Sequence, residues 1–260
     1  MSMNNLEKFR QKLADKQLCI GSCVTMSDPA ISELLGELGF DFTWIDMEHA
    51  PLNIETTLQH IMCLRASGAA PLVRVPWNLH YLIKPIADLA PAAIIVPMVN
   101  TPDEVHAAID ACRYPAKGIR GCGPRRGTRF GQMPFGEYMK QSENDPMVIV
   151  QFEHIDAFKY LDEILAIDEL ESVCIGPSDF SGSMGFVNEP FRPEIAAVID
   201  EAAAKIKASG KYLGTATFAE KNNLELWKKR GIDWMAVTSD WGGMAAGCMS
   251  ALQCTKSVFE

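Results

Sequence analysis

Two short stretches, far apart in the chain, place acidic residues at the ends of apolar runs. Gln151 and Glu153 close the run over residues 147–150, and Asp179 follows residues 173–175 within the sequence Gly-Pro-Ser-Asp. Alternation along a strand puts Gln151 and Glu153 on one face. A buried strand has no structural use for a carboxylate at its tip unless something compensates the charge. Two carboxylates, a carboxamide and room for water suit a hard cation such as Mg²⁺, so these stretches predict a divalent-metal site.

The elements that must position this site follow from the alternation of short apolar runs with longer amphipathic stretches. The runs predict eight strands, near residues 18–24, 42–46, 72–75, 93–97, 148–151, 172–175, 212–215 and 234–237. Helices are predicted between them, for example over residues 29–38, 54–66, 101–112, 157–165, 193–208 and 219–230. Eight strands alternating with helices favour an α/β fold of the closed (β/α)₈ TIM barrel type, with residues 1–260 as a single domain.

The unusual polar residues of the chain collect at the predicted carboxyl ends of strands, where such barrels carry their active sites. They are Asp46, Glu48 and His49 after the second strand, Arg74 on the third, Gln151 and Glu153 on the fifth, and Ser178 and Asp179 after the sixth. Taken singly, each of three residues has a structural interpretation. Arg74 is then an ion-pair partner, His49 is a hydrogen-bonding partner of Asp46, and Asp179 is the N-cap of a turn. Their convergence on one rim favours a shared site.

Composition narrows the classes of function. A net charge of −9 and a pI near 5.1 argue against a nucleic-acid-binding surface. Eight cysteines without a Cys-x-x-Cys spacing, mostly in apolar runs, indicate reduced core thiols. Residues 1–16 lack the apolar core of a signal peptide, and the longest apolar run, residues 89–99, is too short to span a bilayer. We therefore expect a soluble cytoplasmic protein.

Two regions depart from the strand–helix rhythm. Residues 113–146 form a long connection, which is typical of a functional loop, and contain Arg120, Arg125, Arg126 and Arg129. These arginines indicate either an anionic substrate or ties to acidic helices and another subunit. Residues 242–258 are nearly uncharged and rich in Met, Ala and Leu, so a final helix there is expected to pack against another subunit.

Six sequence blocks, in order along nearly the whole chain, together resemble a known family. The blocks are residues 45–51 (IDMEHAP), 73–78 (VRVPWN), 96–99 (VPMV), 113–121 (RYP, then GIRG), 151–153 (QFE) and 175–179 (IGPSD). The chain resembles the HpcH/HpaI family of metal-dependent pyruvate aldolases. This resemblance implies a hexamer, built as a trimer of dimers, whose last helix is exchanged between paired subunits.

The resemblance also implies a role for each polar residue of the rim. Glu153 and Asp179 would bind the cation, which would be Mg²⁺, Mn²⁺ or Co²⁺. The groups contacting pyruvate would be Gln151, Arg74, Ser178 and the amide of Asp179. The acid/base machinery would be His49 oriented by Asp46, with Glu48 near metal-bound waters and Asp88 reaching the histidine of an adjacent subunit. The sequence departs from the family pattern at Val75, Leu79 and residues 124–130.

The chemistry agrees with these roles. Aldol cleavage of a 4-hydroxy-2-oxoacid leaves negative charge on C3 and the carbonyl oxygen of pyruvate, and a divalent cation stabilises that enolate as a Lewis acid. Arg74 adds a second positive charge, and His49 suits removal of the 4-hydroxyl proton. A lysine Schiff base is disfavoured, because none of the 14 lysines ends a predicted strand.

Two other functions stay open. One is a CoA-thioester lyase of the malyl or citryl type, which shares the barrel and the metal. The other is a non-catalytic ligand-binding barrel. The sequence leaves the identity of the aldehyde open.

Overall fold

A closed barrel of eight parallel strands forms the centre of the molecule. The computed structural model describes residues 3–259. Each strand pairs with the next in sequence, and β8 pairs with β1. The strands are β1 Cys19–Val24, β2 Phe42–Asp46, β3 Ala70–Arg74, β4 Ala93–Val96, β5 Met147–Phe152, β6 Ser172–Ile175, β7 Tyr212–Ala216 and β8 Trp234–Ser239. The predicted (β/α)₈ barrel is confirmed.

Helices alternate with the strands. They are α1 Leu6–Ala14, α2 Ala30–Glu37, α3 Ile54–Ser67, α4 His80–Asp88, α5 Pro102–Cys112, α6 Phe135–Gln141, α7 Leu161–Leu165, α8 Pro177–Ser183, α9 Pro193–Ala208, α10 Lys221–Lys229 and α11 Asp240–Phe259. A 3₁₀ helix, Ile155–Tyr160, precedes α7, so the single helix predicted over residues 157–165 was wrong in part. There the His154 imidazole accepts the N–H of Asp156 and caps the tighter turn.

Local capping chemistry sets several helix boundaries. Thr101 and Glu104 form a reciprocal capping box at the start of α5. The Asn53 side chain accepts the N–H of Thr56 at the start of α3. Gly68 follows α3 with a φ of 83°, a left-handed conformation that only glycine adopts without strain. These boundaries are therefore encoded within a few residues of sequence.

Large side chains fill the barrel interior up to the carboxyl end. Phe42 packs edge to face against Trp234, and Trp44 packs against the same indole ring at a tilt. Gly214 is required opposite Trp234, because a Cβ at this position would collide with the indole ring. Below them, Leu6, Phe9 and Leu13 of α1 close the amino end. Full burial of one such side chain contributes about 2 kcal/mol to the free energy of folding, so the packed interior holds the strand ends of the rim in fixed positions.

Two segments lie away from the rim. Residues 113–146 connect α5 to β5, so they lie at the amino end of the barrel, opposite the predicted site, and they include α6. The helix α11 leaves the barrel after β8 with Asp240 as its buried residue, whereas Trp241, Met244 and Leu252 are exposed.

The expectation of core thiols holds for part of the cysteines. Cys19, Cys112 and Cys174 are buried, whereas Cys122, Cys248 and Cys254 are exposed. Two of the exposed thiols belong to α11, whose apolar sequence does not pack on its own barrel. Among residues 3–259, we find no helix with the length and apolar character needed to cross a membrane.

Candidate active site

A buried ion pair joins the ends of β2 and β3. The parallel register places Asp46 directly beside Arg74. The Arg74 guanidinium donates to both carboxylate oxygens of Asp46, from Nε at 3.0 Å and from Nη2 at 2.5 Å. Its plane also lies over the Trp44 ring, 5.1 Å from the centroid. This two-point contact on rigid strands fixes the direction of the remaining guanidinium nitrogen, Nη1.

A second chain of contacts extends from β5. The predicted shared face of Gln151 and Glu153 is confirmed, because Gln151 Nε2 donates to Glu153 Oε2 at 2.5 Å. The other oxygen, Oε1, accepts the backbone N–H of Met98 at 2.7 Å. Gly176 lies against the same carboxylate, since a Cβ there would be 2.6 Å from Oε2. Glu153 is only 3 % exposed, so its carboxyl group is held in one position by hydrogen bonds and close packing.

Arg74 Nη1 connects the two contact sets. It lies 2.9 Å from Glu48 Oε2 and 3.4 Å from Gln151 Oε1. Glu48 Oε2 is buried and forms no hydrogen bond, although this ion pair with Arg74 compensates its charge. Asp46, Glu48, Arg74, Gln151 and Glu153 thus form one connected group of polar side chains.

His49 lies at the edge of this group. Its side chain is 65 % exposed, and its Nε2 is 3.8 Å from Glu48 Oε2. Asp46 accepts the backbone N–H of His49 at 3.3 Å, while the Asp46 carboxylate is bonded to Arg74. Asp46 therefore positions the loop that carries His49 and contacts its main chain, whereas the sequence analysis expected it to orient the imidazole.

The acidic groups of the site differ in their proton affinity. Burial tends to raise the pKa of Asp46, but the hydrogen bonds and charge of Arg74 outweigh it and lower that pKa below its ordinary value. Burial raises the pKa of Glu48, and the charges of Asp46 and Asp179 add to this effect. Burial raises the pKa of Glu153 to about 7, with further contributions from Glu48 and Asp179. The carboxyl groups of Glu48, Glu153 and Asp179 therefore repel one another, and a positive charge among them would offset that repulsion.

A small cavity of about 130 Å³ lies beside these groups, at the carboxyl end of the barrel. Its polar wall includes Arg74, Gln151, Ser178 and Asp179, and the last two belong to the first turn of α8. Asp179 is exposed, and the Ser178 hydroxyl donates to Asn188 Oδ1 at 3.0 Å. The structure therefore brings the predicted residues of strands three, five and six around one space.

Asp88 and the loop arginines lie elsewhere in the chain. Asp88 ends α4 at the amino side of the barrel, where Arg120 donates to it at 2.9 Å. Arg120 is 2 % exposed and also donates to Ala87 O, while Arg126 donates to Leu89 O at 2.8 Å. These contacts tie the loop to the end of α4, at the opposite end of the barrel from the rim, because an α-to-β connection returns to that end.

Sequence reasoning missed several contributors to the site. Trp44 and Met98 were given no role in the site, although Trp44 stands two residues before Asp46 and so shares its face. Met98 has a φ of 53°, which directs its N–H to Glu153, and local sequence gives no signal for that. Gly176 and the cavity-lining Cys23 were also missed, since their importance depends on which strands become neighbours.

Comparisons with known proteins agree with this geometry. The family model described as HpcH/HpaI aldolase/citrate lyase matches residues 20–245. A 5-keto-4-deoxy-D-glucarate aldolase of Salmonella arizonae is 34% identical over 249 residues, which cover 94% of this chain and 96% of the relative. A 4-hydroxy-2-oxo-heptane-1,7-dioate aldolase of Escherichia coli is 38% identical over 208 residues, 79% of each chain.

Solved structures support the fold. An HpcH/HpaI aldolase from Desulfitobacterium hafniense DCB-2 has a TM-score of 0.87 at 22% identity, covering 95% of this chain and 96% of its own. Macrophomate synthase has a TM-score of 0.84 at 20% identity, with coverages of 99% and 91%. At this identity the likeness concerns the barrel alone, and a barrel alone does not define a reaction. The family model and the curated relatives do define the type of reaction. The chain therefore belongs to the HpcH/HpaI aldolase/citrate lyase family, as an aldolase.

Proposed function

We propose that this aldolase reversibly cleaves a 4-hydroxy-2-oxoacid to pyruvate and an aldehyde with the help of a divalent cation. The observation that carries the proposal is that Arg74, paired with Glu48, lines one cavity together with Gln151 and Asp179, while Gln151 bonds the buried carboxylate of Glu153. A 2-oxoacid offers two anionic or polar oxygens that such a mixed set of charges can hold. The curated relatives, which are named as aldolases of this substrate type, support the same conclusion.

The residues present fit a hard cation. Within residues 3–259, no three His, Cys, Asp or Glu side chains converge as a closed metal cage. Glu153 and Asp179 would instead supply two carboxylates, and substrate and water oxygens would supply the others, as Mg²⁺ prefers. Burial, with smaller contributions from Glu48 and Asp179, raises the pKa of Glu153, and a cation beside it would offset the cost of its negative charge. A cation bound there supplies positive charge to the oxygens of the donor.

The remaining groups bind and orient the substrate. Arg74 Nη1, directed by the contact with Asp46, points to the region between Glu48 and Gln151, where it can hold the carbonyl oxygen of the donor. The first-turn N–H groups of α8, at Ser178 and Asp179, have no intrahelical acceptor and suit the donor carboxylate. Gln151 adds an amide to the same wall. These contacts fix pyruvate through its oxygens and leave C3 free to react.

His49 has the exposure that an acid/base towards the aldehyde requires. Its ring stands at the rim, next to Glu48, where it can accept the 4-hydroxyl proton during cleavage and return it during addition. We expect His49→Ala to slow aldol cleavage by about 10²-fold or more while pyruvate C3 proton exchange falls less. Equal losses in the two assays would assign His49 to enolate formation.

The decisive test of the function separates cation from Schiff-base chemistry. Chelation should abolish pyruvate release from a 4-hydroxy-2-oxoacid, and Mg²⁺, Mn²⁺ or Co²⁺ should restore it. Borohydride in the presence of pyruvate should leave the activity intact, because no lysine forms an imine. Covalent trapping of pyruvate would contradict the proposal. Calorimetric titration with pyruvate and with acetyl-CoA, each with Mg²⁺, distinguishes the aldolase from a CoA-thioester lyase and from a purely binding barrel.

We also propose that the active unit is a homo-oligomer, in which α11 packs on a neighbouring subunit. The exposed apolar residues of α11 support this, since a monomer would leave Trp241, Met244 and Leu252 in water. Asp88 and Arg125 line one hollow of about 680 Å³ at the amino end. If Asp88 completes the site of an adjacent subunit, the loop that carries Arg125 reaches that site as well.

A further inference from the structure

A column of four aromatic rings runs along the interior of the barrel and ends at the predicted site. Phe9 of α1 packs edge to face on Phe42, with the ring centroids 5.8 Å apart. The centroid of Phe42 lies 5.6 Å from that of Trp234, and Trp234 lies 6.0 Å from Trp44. A hydrogen bond from Trp234 Nε1 to Ser172 Oγ, at 2.9 Å, fixes the third ring. The column therefore supports the ring of Trp44, which is buried on β2, from below.

The guanidinium group of Arg74 lies on the last ring of this column. Its Cζ atom is 5.1 Å from the centroid of the Trp44 ring, both side chains are largely buried, and both line the cavity at the rim. A cation within about 6 Å of an indole ring is attracted to the electron-rich face of the ring, and the attraction is stronger where water is excluded. Trp44 therefore stabilises the position of the Arg74 guanidinium above its ring.

The ion pair with Asp46 by itself leaves one movement of this guanidinium group free. Asp46 accepts from Nε and Nη2 of Arg74, and both hydrogen bonds lie along one edge of the planar group. The plane can tilt about that edge, and Nη1, on the far side of the group, then moves most. Nη1 is the nitrogen that lies next to Glu48 and Gln151. A fixed ring beneath the plane opposes the tilt and so holds Nη1 in place.

The chemistry of the Trp44 side chain favours a role for its ring face over simple packing. Its Nε1 is buried and has no hydrogen-bond partner within residues 3–259, and an unpaired buried N–H is destabilising. A leucine or phenylalanine side chain would fill an apolar interior without that cost. Indole, however, attracts a cation more strongly than the other aromatic side chains do, which gives a tryptophan beneath Arg74 a physical reason.

We infer that Trp44 is a positioning residue of the reaction, whose ring keeps Nη1 of Arg74 at the carbonyl oxygen of the donor. The inference rests on the proposed aldolase function and concerns a residue that contributes neither charge nor proton. Negative charge on that oxygen grows as the enolate forms, so a displaced Nη1 weakens an interaction of the transition state more than one of the bound substrate. Loss of the ring should therefore lower kcat and leave KM nearly unchanged.

Trp44→Leu and Trp44→Phe test this assignment in the cation-loaded protein. Leucine removes the ring and should lower kcat for cleavage of a 4-hydroxy-2-oxoacid by about tenfold, whereas phenylalanine keeps a weaker ring face and should lower it by about threefold. KM, and the affinity for pyruvate measured by calorimetry, should change by less than about twofold in both variants. Proton exchange at C3 of pyruvate should fall by the same factor as cleavage, because both reactions pass through the enolate.

Trp227→Leu is the matched control. Trp227 is buried on α10, in the outer layer of helices, and it also lies beneath an arginine, since Arg230 Cζ is 4.5 Å from its ring centroid. The same substitution there removes a buried indole and a cation contact at a distance from the cavity. It should lower the midpoint of thermal unfolding, as Trp44→Leu does, and leave kcat within about twofold of the wild-type value.

Thermal unfolding verifies that each variant folds. A folded Trp44→Leu with kcat within about threefold of wild type overturns the inference, as do equal losses of kcat in Trp44→Leu and Trp227→Leu, and the aldolase function stands in both cases. If Trp44→Leu does not fold, Trp44→Phe decides, and a kcat equal to that of the wild type overturns the inference. A wild type that releases no pyruvate from 4-hydroxy-2-oxoacids overturns the proposed function and the inference with it.

Discussion

The two ends of the barrel use arginine in opposite ways. At the carboxyl end, Arg74 is bound to carboxylates, and one of its nitrogens faces a cavity. At the amino end, Arg120 and Arg126 donate to main-chain carbonyls in the last turn of α4 and just after it. Those carbonyls lie at the carboxyl end of α4, where the helix dipole is negative, so the two side chains act as clamps on the helix. A cluster of positive charge in the sequence therefore does not by itself locate a substrate site.

The contrast extends to what each end needs from another subunit. The carboxyl end assembles its polar group within one chain, because β2, β3 and β5 bring Asp46, Arg74 and Gln151 together. The amino end and α11 leave Phe130, Trp241 and Met244 exposed. We therefore expect changes at the two ends to affect different properties, and the predictions below are ordered by the size of the expected effect.

Removal of α11 gives the largest expected effect. If α11 packs on a neighbouring subunit and Asp88 completes an adjacent site, as proposed, deletion of residues 243–260 should abolish both oligomerisation and aldolase activity. Light scattering and a pyruvate-release assay on the same sample measure the two properties. A truncated monomer with full activity would show that the carboxyl end functions without a partner.

Arg74→Lys tests the carboxyl end directly. Lysine keeps the positive charge but loses the planar group that bonds both oxygens of Asp46 while directing Nη1 to the cavity. We expect turnover to fall by about 10²-fold or more. Steady-state kinetics with the folded variant give the number, and Lys12→Arg, at a half-buried ion pair of α1 with Asp41, is the control. A loss of less than about threefold would reduce Arg74 to a structural role.

The raised pKa of Glu153 predicts a proton-linked affinity for the cation. In the metal-free protein this carboxyl group is protonated below about pH 7, whereas binding requires the carboxylate. Affinity should therefore fall by about tenfold for each pH unit below 7 and level off above it. Calorimetry in buffers of different ionisation enthalpy should detect about one released proton at pH 6 and almost none at pH 8. Proton release that persists unchanged in Glu153→Gln would point to another group.

The smallest effect separates two neighbouring arginines of the amino-end loop. Arg126→Ala removes hydrogen bonds to Leu89 and Ala90 and should lower the free energy of unfolding by about 1–3 kcal/mol in urea. Arg125 is exposed, so Arg125→Ala should change stability by less than about 0.5 kcal/mol. Instead it should reduce, by a few-fold, the preference for succinic semialdehyde over butanal as acceptor. A preference retained in Arg125→Ala would leave this loop with a structural role alone.

Much of the frame follows from short-range signals. Apolar runs of four to seven residues predict all eight strands, two of them with the observed ends, Phe42–Asp46 and Ser172–Ile175. The alternation of side chains along β5 is sufficient to place Gln151 and Glu153 together. The capping box at Thr101 and the glycine after α3 are likewise local. Helix α6 was missed because its seven residues lie in a loop without a sustained hydrophobic period.

The sequence by itself determined the strands, the barrel class and the residue types at the carboxyl rim, because these depend on periodicity and on capping within a few residues. Only the tertiary structure decided that Asp46 bonds Arg74 and contacts the main chain of His49, and that Glu153 accepts from Met98. It also decided which arginines clamp α4 and that Cys23 and Ala216 line one cavity. These side chains lie far apart in the sequence. Asp46 and Arg74 are 28 positions apart, and Cys23 and Ala216 are 193 positions apart. Contacts of that separation are fixed by barrel closure and strand register, which no local pattern encodes.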